Sequence, residues 1–197
     1  FGESGSMLHE GEEEFSNKKP GAQIVLTWRP RASDPVAFVD YIVQATDGAT
    51  FTGKVDVWQV RVPHEEVNFE TDSAEIRPSE RPKLEDSIQV IQREVAKYKK
   101  NKGTGVIKLF ITGRTDTVGT PAYNLTLSRR RAQSIARWFR QSGLRIPILY
   151  DGVGESMLRV KTDDEVDELR NRGADYDLSL TEPRRSGKTR AAWKKVP

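Results

Sequence analysis

The run VIKLFITGRTDTVGTPAYNLTLSRRRAQSIARWF, residues 106–139, decides the fold. Its start, Val106 to Thr112, is short and mostly apolar, which predicts a strand buried on both faces at its centre. Gly113 to Gly119 reads as a loop. Thr120-Pro121 then opens a helix, because the fixed φ of proline suits the first helical position, where no intrahelical N–H bond is lost. Ser128 is a second candidate cap. Ala132, Ile135 and Phe139 form the buried stripe, and Gly143 suits the left-handed residue past the end. The loop carries a carboxylate, Asp116, and the helix carries a guanidinium, Arg131, fifteen residues later. Held across one strand-to-helix turn, such a pair can clamp a zwitterionic ligand.

Upstream, Leu84, Ile88, Ile91, Val95 and Tyr98 recur at spacings of 4, 3, 4 and 3, a single apolar helical stripe. Ser79 is its candidate N-cap and Pro82 falls in its first turn. Asn101 to Gly105 ends it. Glu65 to Phe69 reads as a preceding strand. Downstream, Ile146 to Tyr150 reads as a third strand, Asp151 to Asn171 as an acidic loop, and Ala174 to Leu180 as a final alternating strand. The order predicts an α/β (α+β) two-layer sandwich, βαβαββ with a mixed sheet, over residues 63–182.

The flanks differ in composition. Residues 1–20 are polar and predict a flexible lead-in, with 1–6 reading as a cloning remnant before Met7, so that a native signal or anchor could have been cut away. Residues 21–62 predict a small β extension: Gln23 to Trp28 as a strand, then Val36 to Ala45 and Phe51 to Val60 as a hairpin. Asp47-Gly48 supplies its turn, and Gly53 suggests a bulge. Its apolar surplus (Ile24, Val25, Leu26, Phe38, Ile42, Val43) predicts docking on the main domain or on a partner. Residues 183–197 form a basic tail that includes Arg184, Arg185, Lys188, Arg190, Lys194 and Lys195.

The chain has 197 residues, no cysteine and a net charge of +3. No disulfide or thiolate metal site is possible, and the mild charge argues only weakly for a polyanion. No apolar run is long enough to span a bilayer. The two histidines, His9 and His64, lack ligand spacing and serve no candidate Ser or Cys nucleophile. Ser186-Gly187-Lys188-Thr189 has the last letters of a phosphate loop but no strand before it. Catalysis, metal, cofactor and nucleic acid are therefore not expected, although carboxylate counts alone do not test a glycosidase-type pair.

Each candidate site residue has a plainer role. Asp in such a loop most often shapes a turn or caps a helix, and Asn124 most often caps. Arg131 lies one turn before Ile135, beside the buried stripe, where an unpaired charge is costly. Either Asp116 is its structural partner or both face a cleft and share a ligand. Asp72 and Arg172 lie at predicted strand edges, where the sites of α/β folds collect.

Four spaced motifs, Asn68-Phe69-Glu70-Thr71-Asp72-Ser73-Ala74-Glu75-Ile76, Gly113-Arg114-Thr115-Asp116-x-x-Gly119, Tyr123-Asn124-x-x-Leu127-Ser128-x-x-Arg131-Ala132 and Arg170-Asn171-Arg172, give residues 64–181 a resemblance to the OmpA-like C-terminal domain, the family that includes OmpA, Pal and MotB. The resemblance implies non-covalent binding of peptidoglycan through the diaminopimelate of its stem peptide. It implies that Asp116 takes the ammonium and Arg131 the carboxylate, with Thr115, Asn124, Asp72 and Arg172 also assigned to the pocket. It implies an envelope protein of a Gram-negative periplasm, associated with the outer membrane and tethered to the wall. Other envelope proteins are expected to meet the β extension or the basic tail. The alternative is a protein–protein module of an envelope machine in which the Asp/Arg pair is only structural. Three positions depart from the family pattern: Arg114 stands where His is frequent, Gly173 replaces the last Arg of an Asn-Arg-Arg triplet, and Asp72 replaces a frequent Asn.

Overall fold

A computed structural model describes residues 1–2, 6–16, 18–19, 21–29, 31, 36–70, 72–100, 105–183 and 192–197. Thr71, residues 101–104, where the sequence predicts the end of the first helix, and 184–191, with most of the basic tail and the Ser186–Thr189 segment, lie outside the described residues. The strands are β1 (Phe38–Gln44), β2 (Thr50–Asp56), β3 (Gln59–Arg61), β4 (Lys108–Arg114), β5 (Ile148–Gly152), β6 (Gly173–Ser179) and β7 (Lys194–Lys195). The helices are α1 (Arg81–Lys100) and α2 (Pro121–Gln141). β1 and β2 form a separate antiparallel hairpin, and the other strands form one mixed sheet in the order β3-β6-β4-β5-β7. Among the described strands only β4 and β5 run parallel, as their helical crossover through α2 requires.

Residue alternation along the strands builds the two layers. Leu109 and Ile111 of β4, Ile148 of β5, and Tyr176 and Leu178 of β6 join one core with Leu84, Ile88 and Ile91 of α1 and Ile135 and Phe139 of α2. The other side of β6 carries Asp175 and Asp177, both buried and both paired with arginines. Pro78–Glu80 forms a 3₁₀ turn before α1, so Ser79 lies inside a turn and does not cap the helix. Thr120 does cap α2, its Oγ1 accepting from Tyr123 N at 3.3 Å. Ser128 is mid-helix: its hydroxyl donates to Leu125 O at 3.0 Å and accepts from Gly154 N at 2.9 Å. Gly143 has φ of 93°, as its place after α2 demands.

Several predicted elements are corrected. Glu65 to Phe69 is not a strand, because side chains take its backbone groups: Glu80 Oε2 accepts from Asn68 N at 2.8 Å and Lys83 Nζ donates to Glu66 O at 3.1 Å. The first strand of the sheet is β3, inside the predicted extension, where Val60 pairs with Leu178. The run from Phe51 to Val60 thus divides between two sheets, and Trp58 and Val62 enter the main core. The hairpin forms around Asp47-Gly48, with Gly48 at φ 87° and Ala49 N donating to Asp47 Oδ1 at 2.9 Å. Gly53 is not a bulge: it pairs in register with Tyr41, whose ring lies where a Cβ would be. The apolar surplus is not buried. Ile24, Val25 and Leu26 lie outside any strand, and Ile42 and Val43 remain exposed. At the other terminus the tail ends as a sheet edge, with Val196 buried and its N–H donating to Ile148 O at 3.0 Å.

Candidate functional site

The ladder register collects the site. β4 pairs with β6 up to Arg114↔Gly173 and with β5 at Gly113↔Gly152. The loops after β4 and β5 and the segment before β6 therefore leave the same end of the sheet. α2 lies close over that end. A Cβ on Gly113 would meet Ser128 O at 2.1 Å, and one on Gly152 would meet Arg129 N at 2.3 Å. Two glycines thus let a helix backbone rest directly on two strand ends.

Asp116 is buried in the loop after β4, and its Oδ2 accepts from Arg172 Nε at 2.6 Å. Arg172 also pairs with Asp167 at 2.7 Å. Burial opposes the Arg172 charge, but these carboxylates outweigh it and hold the guanidinium above its ordinary range. Arg131 projects from α2 toward the loop before α1. Its Nε donates to Ser73 O at 2.9 Å and its Nη2 to Glu70 O at 3.1 Å, with the Phe69 ring 5.2 Å away. Among the described residues it has no carboxylate within 4.0 Å. Burial, and then the Arg172 charge, push its pKa down; Asp116, Tyr123 and Asp72 offset part of this. Asp116 Oδ1 and Arg131 Nη1 have no hydrogen-bond partner among the described residues, and neither is among the side-chain atoms sealed from solvent without one.

The remaining predicted residues divide. Asp72 has φ of 56° and accepts a hydrogen bond from the Tyr123 hydroxyl. Asn124 Nδ2 donates to Asp116 O at 3.4 Å and to Glu155 Oε2 at 2.6 Å, steadying the loop. Thr115 turns inward: its N–H donates to Gly154 O, and its hydroxyl is sealed from solvent without a partner. Sequence reasoning passed over Tyr123, although it stood inside a quoted motif. It also left the acidic loop unassigned. That loop stitches itself to the site loop, with Thr117 Oγ1 donating to Asp163 O at 2.7 Å and Glu165 capping Gly119 N.

Arg114 and Gly173 meet through Glu66. Gly173 has φ of 142°, and Glu66 Oε2 lies 1.9 Å from where its Cβ would be. Glu66 fills that space and pairs with Arg114 at 2.9 Å and Arg159 at 2.7 Å. Arg114, only 1% exposed, also pairs with Asp175 at 3.1 Å. A cleft of about 310 Å³ adjoins this cluster, lined by Arg61, Arg114, Met157 and Arg159. The arginines there are matched by carboxylates within the protein, so that cleft has no unanswered charge to offer a ligand.

A sequence model described as the OmpA family matches residues 68–172. The chain belongs to the OmpA family. It is 30% identical over 107 residues to outer membrane protein A of Buchnera aphidicola, covering 54% of this chain and 26% of that protein. The chain therefore spans about a quarter of that relative's length. Among solved structures, it is similar to the peptidoglycan-associated lipoprotein from Burkholderia pseudomallei (23% identity, TM-score 0.45, 58% of this chain and 89% of that one). It is also similar to the periplasmic domain of Helicobacter pylori MotB (15% identity, TM-score 0.45, 72% of this chain and 89% of that one).

Proposed function

We propose that this chain binds peptidoglycan non-covalently by the amino-acid head of a diaminopimelate stem residue and tethers an envelope protein to the wall. The observation that carries this reading is Arg131. A largely buried guanidinium held by two neutral carbonyls, with no carboxylate within 4.0 Å among the described residues, is an under-compensated cation. A ligand carboxylate supplies the missing charge through a charge-assisted hydrogen bond to Nη1. Asp116, whose charge acts on Arg131, has an Oδ1 without a partner among the described residues and accepts the ligand ammonium. Asp72 and Tyr123 edge the site, while Asn124 and Arg172 hold Asp116 in place. Thr115 shapes the loop from within. On this reading the protein acts in the periplasm of a Gram-negative cell and is a binder with no catalytic step. The β extension and the basic tail are left for other envelope partners.

The purely structural alternative now rests on Arg172, since the partner of Asp116 is Arg172 and not Arg131. Co-sedimentation with purified diaminopimelate-containing sacculi separates the two. Asp116→Ala and Arg131→Ala should each lose most binding with the melting transition retained. A soluble stem tripeptide ending in meso-diaminopimelate should compete and its lysine counterpart should compete poorly, because only the former keeps a free amino-acid head when its other end is in peptide linkage. Parent-like sedimentation of both variants would sink the assignment.

A further inference from the structure

The clamp of Asp116 and Arg131 has flanks of opposite charge. On the Asp116 side lies the acidic loop, where Asp163, Asp164, Glu165 and Asp167 are exposed and Asp167 holds Arg172. On the Arg131 side lies α2, which carries Arg129, Arg130, Arg131, Arg137 and Arg140 and no Asp or Glu. Most of these arginines are engaged within the protein. Arg131 turns inward, Arg129 pairs with Asp151 at 3.0 Å, and Arg140 donates to Leu144 O at 2.7 Å. Arg130 and Arg137 are exposed and have no hydrogen bond or ion pair among the described residues. Tyr123, Arg130 and Arg137 recur every seven residues, which puts them on one stripe of the helix, each about 10 Å along it from the last. The stripe starts at the rim of the clamp. The Tyr123 hydroxyl donates to Asp72, and that bond first, then burial, holds it above its ordinary range against the opposing charges of Arg131 and Arg130. Arg130 is thus an unanswered cation within electrostatic reach of the rim.

We propose that Arg130 forms a second anion subsite, which takes the free α-carboxylate of the γ-linked D-glutamate preceding diaminopimelate in the stem peptide. This rests on the clamp reading of Asp116 and Arg131 and adds a position to it. With the amino-acid head in the clamp, the rest of the stem must leave across one flank. The acidic loop repels an anionic peptide and the α2 face attracts it, so the stem is directed past Tyr123 to Arg130. Between the two carboxylates of that ligand lie the diaminopimelate side chain, one amide and the glutamate side chain, an extended reach on the order of 10 Å. Side chains of adjacent helical residues diverge by about 100°, and two arginine stems opened by that angle span a comparable distance. A guanidinium receives a carboxylate in a bidentate fork, and Arg130 has no carboxylate of its own chain to hold.

Isothermal titration calorimetry on the whole chain tests this. The probes are free meso-diaminopimelate, the tripeptide L-Ala-γ-D-Glu-meso-diaminopimelate, and the same tripeptide with the α-carboxylate of its D-Glu amidated. The parent should bind the unmodified tripeptide about three- to five-fold more tightly than the amidated one, the size of a solvent-facing ion pair. Arg130→Gln should bind both tripeptides equally, with meso-diaminopimelate binding and the melting transition unchanged. Arg137→Gln removes the same charge further along the stripe and should keep the discrimination. A parent that binds meso-diaminopimelate but treats the tripeptides alike would overturn the subsite and leave the clamp standing. Equal loss of discrimination in both variants would replace the subsite with a diffuse basic field. Failure of every protein to bind meso-diaminopimelate would sink the clamp, and the subsite with it. Flotation with phosphatidylglycerol vesicles that depends on Arg130, with tripeptide discrimination intact in Arg130→Gln, would make the stripe a membrane contact and overturn the proposal.

Discussion

At the scale of the residue, Arg114 shows how a buried charge is made tolerable. Its guanidinium sits between Glu66 and Asp175 and also donates to Asn171 O at 3.4 Å. Arg114→Met leaves Glu66 and Asp175 to share the half-exposed Arg159 and should cost about 3 kcal/mol in denaturant unfolding, the low end for a broken buried pair. Asp175 feels two opposing effects. Burial alone would push its carboxyl up, and the charges of Arg114, Arg159 and Arg61 overcome this and hold it below the ordinary carboxylate range. A carboxyl depressed in the folded state contributes stability that is fully present above its unfolded value, about 3.9, and is lost as pH falls from there through the folded value. Unfolding free energy measured from pH 5 downward should thus fall more gently in Asp175→Asn than in the parent below about pH 4. An unchanged slope would remove Asp175 from the acid response.

At the scale of the element, the packing of α2 on the ends of β4 and β5 fixes the distance between Asp116 and Arg131. Gly113→Ala places a methyl against Ser128 O, a backbone atom that can move only with its helix. The cost should be about 1–3 kcal/mol of stability, with a loss of sacculus binding even at temperatures where the variant is folded. Retained binding would show that the site tolerates a displaced helix. This element was legible in the sequence because strand, loop and helix are contiguous and their apolar periodicity changes within one stretch. Asp116 and Arg131 were legible for the same reason. The contact of Arg172 with Asp116 was not, since only the strand ladder brings those segments together; the sequence pointed to Arg172 by its place at a predicted strand edge and by the family resemblance, and not to this contact. β3 was hidden because its three residues follow β2 after only Val57 and Trp58, with no Gly, Pro or Asn between them to mark a turn. Gly173 as the space for Glu66 could not be read at all, since it depends on three segments meeting.

At the scale of the whole molecule, the boundary between extension and domain falls between β2 and β3. Removal of residues 1–56 should leave a folded domain that still co-sediments with sacculi. Removal of residues 1–62 also deletes β3, Trp58, Val60 and Val62, of which Trp58 packs against Tyr98 at 4.9 Å between ring centres. Each such buried side chain contributes roughly 1.5–3 kcal/mol, so the longer truncation should melt well below the shorter one, as circular dichroism would report. Equal melting of the two would return β3 to the extension.

The last rung of the β4–β6 ladder, Arg114 against Gly173, has a consequence for how the molecule can change over generations. Asp116 and Arg172 are 56 residues apart along the chain, yet they stand just past that rung. Their separation is measured by hydrogen-bonded pairs and not by the length of peptide between them. The exposed turn after α2, at Ser142 and Gly143, can therefore lengthen or diverge while the spacing of the two charges is inherited intact. A slip of a single pair, by contrast, would turn every side chain of β6 to the wrong face and carry Arg172 away from its partner. Sequence drift in this domain should thus be tolerated in the connections and stringent in the rungs, whatever molecule the site holds.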